Sequence, residues 1–329
     1  VTINIAVSTS EGLVLACDSI SSQIGYFVPA FGAQSEAQSD GSYVSKYKSE
    51  DVIARATNSL GGVTKMFQLH AGETPVATIT AGLAKMCGRT MSSCALEFFR
   101  LQKANQFPLE SVEQVGNEFL IFMRQKYDEH FRDSAVPEEF REGPVFILGG
   151  YSRGGYLPSI YRIDVRHDRN VLQFGPGEGG LAWAGQSDAV ERLMRGYDVQ
   201  ARIAVERAVT AFVRQMRESV SKGIERVLQE LVDRVGADQV GDMRIEVPET
   251  DPIVLPWDGF GANISFSDLP LQDAIDFAAY LANIQSGWAK FSEGVATVGG
   301  RTHIGLITRD DGFRMIDEAP LTHRNTGFL

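Results

Sequence analysis

The chain has 329 residues, 43% of them hydrophobic and 9% aromatic, which excludes a disordered or fibrous chain and is enough to bury a large core. Its net charge of −11 argues against sequence-independent nucleic-acid binding. No apolar run approaches the roughly 20 residues that span a bilayer, and no charged, apolar leader opens the chain, so a soluble cytoplasmic protein is expected, bound to neither nucleic acid nor membrane.

Two short apolar runs, residues 3–7 and 13–16, flank Ser10-Glu11-Gly12 at the start of the chain. A β-branched run broken by a polar turn with glycine predicts a hairpin. That hairpin brings Asp18, at the far end of its second strand, back beside Thr2. A threonine supplies a hydroxyl nucleophile, and one with a free α-amine also carries a base of near-neutral pKa. Thr2 and Asp18 are therefore the first candidate catalytic residues. Cys17, Cys87 and Cys94 are odd in number and lack C-x-x-C spacing, which points to reduced thiols and away from a disulfide framework or zinc site; Cys17 is read as core packing.

Residues 21–62 lose the alternation and are rich in Ser, Gly, Ala and Gln. A long loop with a functional or interaction role is expected there. Strands resume at 63–69 and 76–80, a second hairpin, followed by Ala81-Gly82. Helical spacing covers 83–106 and 109–132, the second helix opened by the capping pattern Ser111-Val112-Glu113-Gln114. Further strands are predicted at 144–148, 156–165, 171–174 and 181–184. The Gly-rich turns between them form neither a Gly-Lys-Ser/Thr ending nor a G-x-G-x-x-G after a parallel strand, so a phosphate-binding loop is rejected.

Gly185-Gln186-Ser187-Asp188 opens the next helix, with Ser187-Asp188 also readable as its N-cap. A long helix follows over 201–235, where apolar residues recur in steps of three and four opposite a face of Arg and Glu. After a Pro-rich connection at 247–256 come a helix at 271–288, introduced by Asp268 and Pro270, and strands at 302–308 and 313–316. The order supports an α+β fold with antiparallel pairing.

The opening Thr2, apolar run, acidic-Gly turn, Leu13-Val14-Leu15-Ala16 and Asp18-Ser19, with Lys65-Met66-Phe67 and the Gly299-Gly300 pair before a strand ending in Ile307-Thr308, resemble the proteasome β-subunit family of N-terminal nucleophile (Ntn) hydrolases. The resemblance is closest to its bacterial proteasome-like branch. It implies a four-layer αββα sandwich and one domain over 1–329, with insertions at 21–62 (loop) and 198–267 (long helix plus Pro-rich connection). It further implies that the Thr2 hydroxyl attacks a carbonyl, that Lys65 and Asp18 tune the Thr2 amine, that the Gly82 N–H receives the oxyanion and that Ser187 lies near the nucleophile. Direct alignment puts Gln186 at that supporting position. Where the family has an Asp and a Ser before the glycine pair, this chain has Val295 and Val298, leaving Ser292, Glu293 and Thr297 as displaced substitutes.

The leading expectation is threonine-type peptide-bond hydrolysis by a self-assembling, proteasome-like protease without cofactor or metal. Peptide or unfolded-protein substrates, a ring or spiral homo-oligomer and an ATP-dependent unfoldase partner come with the resemblance. A small-amide acylase and a catalytically silent assembly subunit are the alternatives. Val1 precedes Thr2, and while it is attached the Thr2 nitrogen is an amide with no available lone pair. An alternative start codon read as Val, a minimal propeptide removed by autolysis and a silent protein are the three explanations.

Overall fold

A computed structural model describes residues 2–27, 34–37, 43–46, 53–104, 108–134, 136–236, 255–292 and 297–317. Its first half contains strands β1 (Ile3–Ser8), β2 (Leu13–Cys17), β3 (Ser21–Phe27), β4 (Gln34–Ala37), β5 (Tyr43–Lys46), β6 (Ile53–Leu60), β7 (Met66–His70) and β8 (Val76–Gly82), the short β9 (Lys85–Met86) and β10 (Arg89–Thr90), and helices α1 (Met91–Ala104) and α2 (Val112–Phe131). The second half adds β11 (Pro144–Gly150), β12 (Ser159–Asp164), β13 (Arg169–Phe174), β14 (Gly180–Gly185), α3 (Asp188–Arg195), α4 (Val199–Val235), α5 (Leu271–Phe291), β15 (His303–Thr308) and β16 (Gly312–Asp317). The chain divides into two compact units, one made of residues 1–187 and 264–329, the other of residues 188–263.

The first unit is α+β with two five-stranded antiparallel sheets, ordered β14-β1-β2-β15-β16 and β13-β12-β11-β8-β7. In β2 alternation explains the packing: Leu13, Leu15 and Cys17 enter a core that also holds Ile79, Ile147 and Ile160 of the second sheet. Val14 and Ala16 are left for the opposite face, and α5 packs on β1 and β2. Its buried positions are mostly alanine, Ala274, Ala278, Ala282 and Ala289, which lets the helix approach the strands closely. A second core joins α1 and α2 to the second sheet through Phe98, Phe119, Met123, Phe146 and Ile163, with Phe119 edge-on to Phe98 and Phe146 at centroid separations of 5.1 and 4.9 Å.

Three sequence expectations differ from this structure. Residues 21–62 are not a featureless loop: β3 pairs with β6 and β4 with β5. Phe27 and Leu60, at 48% and 50% exposure, show that the ends of this ribbon are not packed in a core, and alternation reports one-sided burial, not extension. The helix expected from residue 83 begins at Met91, because β9 and β10 form a small hairpin whose turn, Cys87-Gly88, has φ of 49° and 74°. The N-terminus of α5 takes no side-chain cap from Asp268; Glu11, in the β1–β2 turn, accepts the Leu271 N–H at 2.8 Å. Most of the Pro-rich connection, residues 247–254, lies outside the described residues.

In the second unit Asp198 N-caps α4, accepting the Ala201 N–H at 2.7 Å. Trp257 donates its indole N–H to Glu206 at 3.1 Å and packs on Tyr197. No residue of α4 is buried.

Candidate active site

The β1–β2 hairpin sets the spacing of the site. Asn4 pairs with Cys17, so Thr2 and Asp18 lie just beyond the last paired residues of their strands. The Thr2 hydroxyl donates to Asp18 Oδ1 at 2.6 Å. Lys65, immediately before β7, reaches the same oxygen from the second sheet, its ammonium donating at 2.7 Å. Three backbone N–H groups complete the shell: Ile3 to Oδ1, and Ile20 and Gly299 to Oδ2, each at 3.1 Å. Asp18 is 1% exposed, and a buried carboxylate needs such charge-assisted partners to offset its lost hydration. Burial pushes the Lys65 ammonium below the ordinary lysine pKa, and the Asp18 charge and hydrogen bond oppose that shift without cancelling it.

Thr2 is held from its other side by the turn after β14. Gln186 N–H donates to the Thr2 carbonyl at 2.7 Å. Gly185 has φ +92°, and a Cβ there would lie 2.0 Å from the Thr2 oxygen, so only glycine allows this approach. The Gln186 side chain continues the contact, its amide oxygen accepting from Thr297 Oγ1 at 2.6 Å. Ser19 supports the next layer: its Oγ accepts the Arg301 N–H at 2.8 Å and its N–H donates to the Gly299 carbonyl at 3.1 Å.

Thr2 and Lys65 open onto a cavity of about 110 Å³ lined also by Val63, Thr80, Gly82 and Met91. Thr80 Oγ1 is buried in its wall with no hydrogen-bond partner among the described residues. Through Ser21, Leu60 and the 82–85 segment the cavity joins a groove of about 570 Å³ that reaches His130, Phe140 and Glu142. Gly82, with φ +82°, closes β8 at the meeting of the two, and a Cβ there would lie 2.5 Å from the Gly143 carbonyl oxygen.

Three of the residues singled out from sequence, Thr2, Lys65 and Gly82, line one cavity, and the fourth, Asp18, is bonded to Thr2 and Lys65. Ser187 does not line it; it sits at the entry to α3, and its neighbour Gln186 makes the contact with Thr2. Of the displaced substitutes, Thr297 is joined to Gln186, whereas Ser292 caps α5 by donating to the Trp288 carbonyl at 2.9 Å. Glu293 and Val295, like Val1, lie outside the described residues. Val298 is buried as an apolar residue. The donors of Ile20 and Gly299 escaped sequence reasoning, because any residue supplies an N–H; the glycine pair was the one available signal. Cys17 is fully buried, and burial pushes its thiol up to about 12, so it remains a protonated packing group. Among the described residues no group of three or more His, Cys, Asp or Glu is placed to hold a metal ion, and no helix is long and apolar enough to cross a membrane.

No family model and no curated protein matches the chain. It is similar to solved structures of Anbu (ancestral beta-subunit) from Yersinia bercovieri, with a TM-score of 0.43, 12% identity and coverage of 97% of this chain and 88% of that one. It is also similar to an Anbu (Gly-1) mutant from Hyphomicrobium sp. strain MC1, with a TM-score of 0.47, 10% identity and coverage of 99% and 89%. These findings correct the family resemblance drawn from sequence: the similar solved structures are Anbu (ancestral beta-subunit) proteins, at identities of 12% and 10%. At such identities and TM-scores the chemistry rests on this chain's own residues.

Proposed function

We propose that the protein is a threonine-type N-terminal nucleophile hydrolase that cleaves amide bonds, with Thr2 as nucleophile. The observation that carries this reading is the shared oxygen of Asp18, which accepts from the Thr2 hydroxyl and the Lys65 ammonium at 2.6 and 2.7 Å beside an open cavity. The reading requires that the bond between Val1 and Thr2 be absent from the working protein. Thr2 Oγ then bonds to the substrate carbonyl carbon while its proton passes to the Thr2 amine. The carbonyl oxygen takes the negative charge and is met by the Gly82 N–H. Collapse breaks the C–N bond, the amine returns its proton to the leaving nitrogen, and water hydrolyses the acyl ester. Lys65 keeps the amine neutral by its nearby positive charge, and Asp18 fixes the hydroxyl and the ammonium together.

The groove favours an extended peptide over a small amide as the substrate, because it continues well past the cavity beside Thr2. Helices α1 and α2 on one sheet and α5 on the other support a four-layer αββα reading of the first unit, with residues 188–263 as an insertion. Labelling with a β-lactone acyl donor tests the nucleophile: the acyl group is expected on Thr2 and absent from Thr2→Ala. Equal labelling of Thr2→Ala would exclude Thr2 as the nucleophile.

A further inference from the structure

We propose that the arginines gathered at the C-terminal end of α2 form a binding site for the dianionic phosphate group of a small molecule. A cavity of about 270 Å³ lies there, lined by Arg124, Tyr127 and Phe131 of α2, by Glu138 and Arg141 of the segment leading to β11, and by Arg166 of the turn after β12. With Arg132, four arginines stand around it against two acids, in a chain whose net charge is −11. One of the acids is already engaged, because Arg124 holds both oxygens of Asp128 at 3.2 and 3.0 Å. The other, Glu138, is exposed.

Two of the guanidinium groups are fixed in place without being neutralised. Arg141 donates from Nε to the Val136 carbonyl at 2.9 Å, and Arg166 donates from Nη2 to the Glu138 carbonyl at 3.0 Å. A main-chain carbonyl orients a guanidinium and leaves its charge in place. Arg141 also lies over the Phe131 ring at 5.5 Å, and Phe131 packs on Tyr127 with centroids 4.8 Å apart. The remaining side-chain N–H groups of Arg141 and Arg166 have no hydrogen-bond partner among the described residues. Tyr127 is an independent sign of a ligand. It is 5% exposed and lines the cavity, yet its hydroxyl has no hydrogen-bond partner among the described residues, and a buried hydroxyl is costly without one. Burial raises the pKa of that hydroxyl while the charges of Arg166, Arg124 and Arg141 oppose the rise, so three guanidinium groups act on a phenol that remains a donor.

Planar N–H forks and a hydroxyl donor match the several acceptor oxygens of a phosphate. The surplus of two positive charges matches a dianion better than a carboxylate. Tyr127 and Phe131 supply an apolar wall for a group attached to the phosphate. Calorimetric titration of the full chain with inorganic phosphate and with phenyl phosphate, at about pH 8, where both are mainly dianions, and at constant ionic strength, tests the site. Saturable one-to-one binding with a Kd below about 1 mM is expected. Arg141→Ala and Arg166→Ala are each expected to weaken it by about tenfold, and Tyr127→Phe, which removes only the unpaired hydroxyl, by about threefold. Arg100→Ala, an exposed arginine outside this cavity, is expected to leave it unchanged. Tighter binding of phenyl phosphate supports the site with a phosphate monoester as its ligand, and equal binding supports it with free phosphate. No saturable binding of either probe, an equal loss in Arg100→Ala, or affinity unchanged in Tyr127→Phe and Arg141→Ala would overturn the proposal. If an arginine variant fails to fold, Tyr127→Phe decides alone.

Discussion

Lys65 and Asp18 are 47 residues apart in sequence and come from different sheets, yet ammonium and carboxylate meet at 2.7 Å with side-chain exposures of 6% and 1%. The pair locks the opening of β7 to the end of β2 and holds the Thr2 hydroxyl on the same oxygen. Stability and chemistry are therefore coupled at this point of the fold.

Removing the cation should leave the carboxylate buried without its charge partner. Lys65→Ala is expected to lower the unfolding free energy by about 3–5 kcal/mol and to abolish acylation of Thr2. Urea denaturation checks the first statement, and a loss below about 1 kcal/mol would mean that the pair is effectively solvated.

Gly185→Ala is expected to damage Thr2 without touching the catalytic groups. The new Cβ collides with the Thr2 carbonyl oxygen, and the alanine must also hold a positive φ, a strain of about 1 kcal/mol. A displacement of Thr2 by about 1 Å is expected to slow acylation by about a hundredfold. Labelling rates of the folded variant measure it; an unchanged rate would show that the turn after β14 does not position the nucleophile.

Gln186 and Thr297, 111 residues apart, are joined at 2.6 Å, and the Gln186 N–H also holds the Thr2 carbonyl. A double-mutant cycle of Gln186→Ala and Thr297→Val is expected to show a coupling of about 0.5–1 kcal/mol in stability. Ser187→Ala is expected to leave the acylation rate within about twofold, a change of roughly 0.4 kcal/mol in the barrier. A larger loss for Ser187→Ala than for Gln186→Ala would contradict this expectation.

Cys17 predicts the alkaline behaviour. Burial raises its folded-state pKa from 9.0 to about 12, so above pH 9 the unfolded chain loses a proton that the folded chain keeps. Folding then takes up a proton, and stability falls as pH rises between 9 and 12, by up to about 1.4 kcal/mol per pH unit. Cys17→Ala removes this contribution and is expected to flatten the decline, which unfolding curves at pH 8.5, 9.5 and 10.5 would register. Parallel declines in both proteins would contradict it.

The hairpin, and with it the approach of Thr2 to Asp18, was legible because two apolar runs around a polar-Gly turn leave one way to pair. Lys65 was legible only through family resemblance, since a lysine before a strand looks the same whether it faces water or a buried carboxylate. The N–H donors of Ile3, Ile20 and Gly299 were not legible as contacts, because backbone groups leave no mark in side-chain identity. The β3–β6 ribbon was missed because residues 21–27 and 53–60 show no sustained apolar alternation in sequence. At the entry to α3 the contact with Thr2 is made by the Gln186 backbone N–H, which again leaves no mark in side-chain identity.

The central claim is that Thr2 acts with both its hydroxyl and a free α-amine, and one reagent requires both. A peptide epoxyketone is attacked at its ketone by the hydroxyl and at its epoxide by the amine, which closes a ring on an N-terminal threonine. Peptide-resolved mass spectrometry of the treated, natively expressed protein is expected to find this ring on a peptide that begins at Thr2. A peptide that retains Val1, or an unmodified Thr2 at the terminus, would contradict the mechanism.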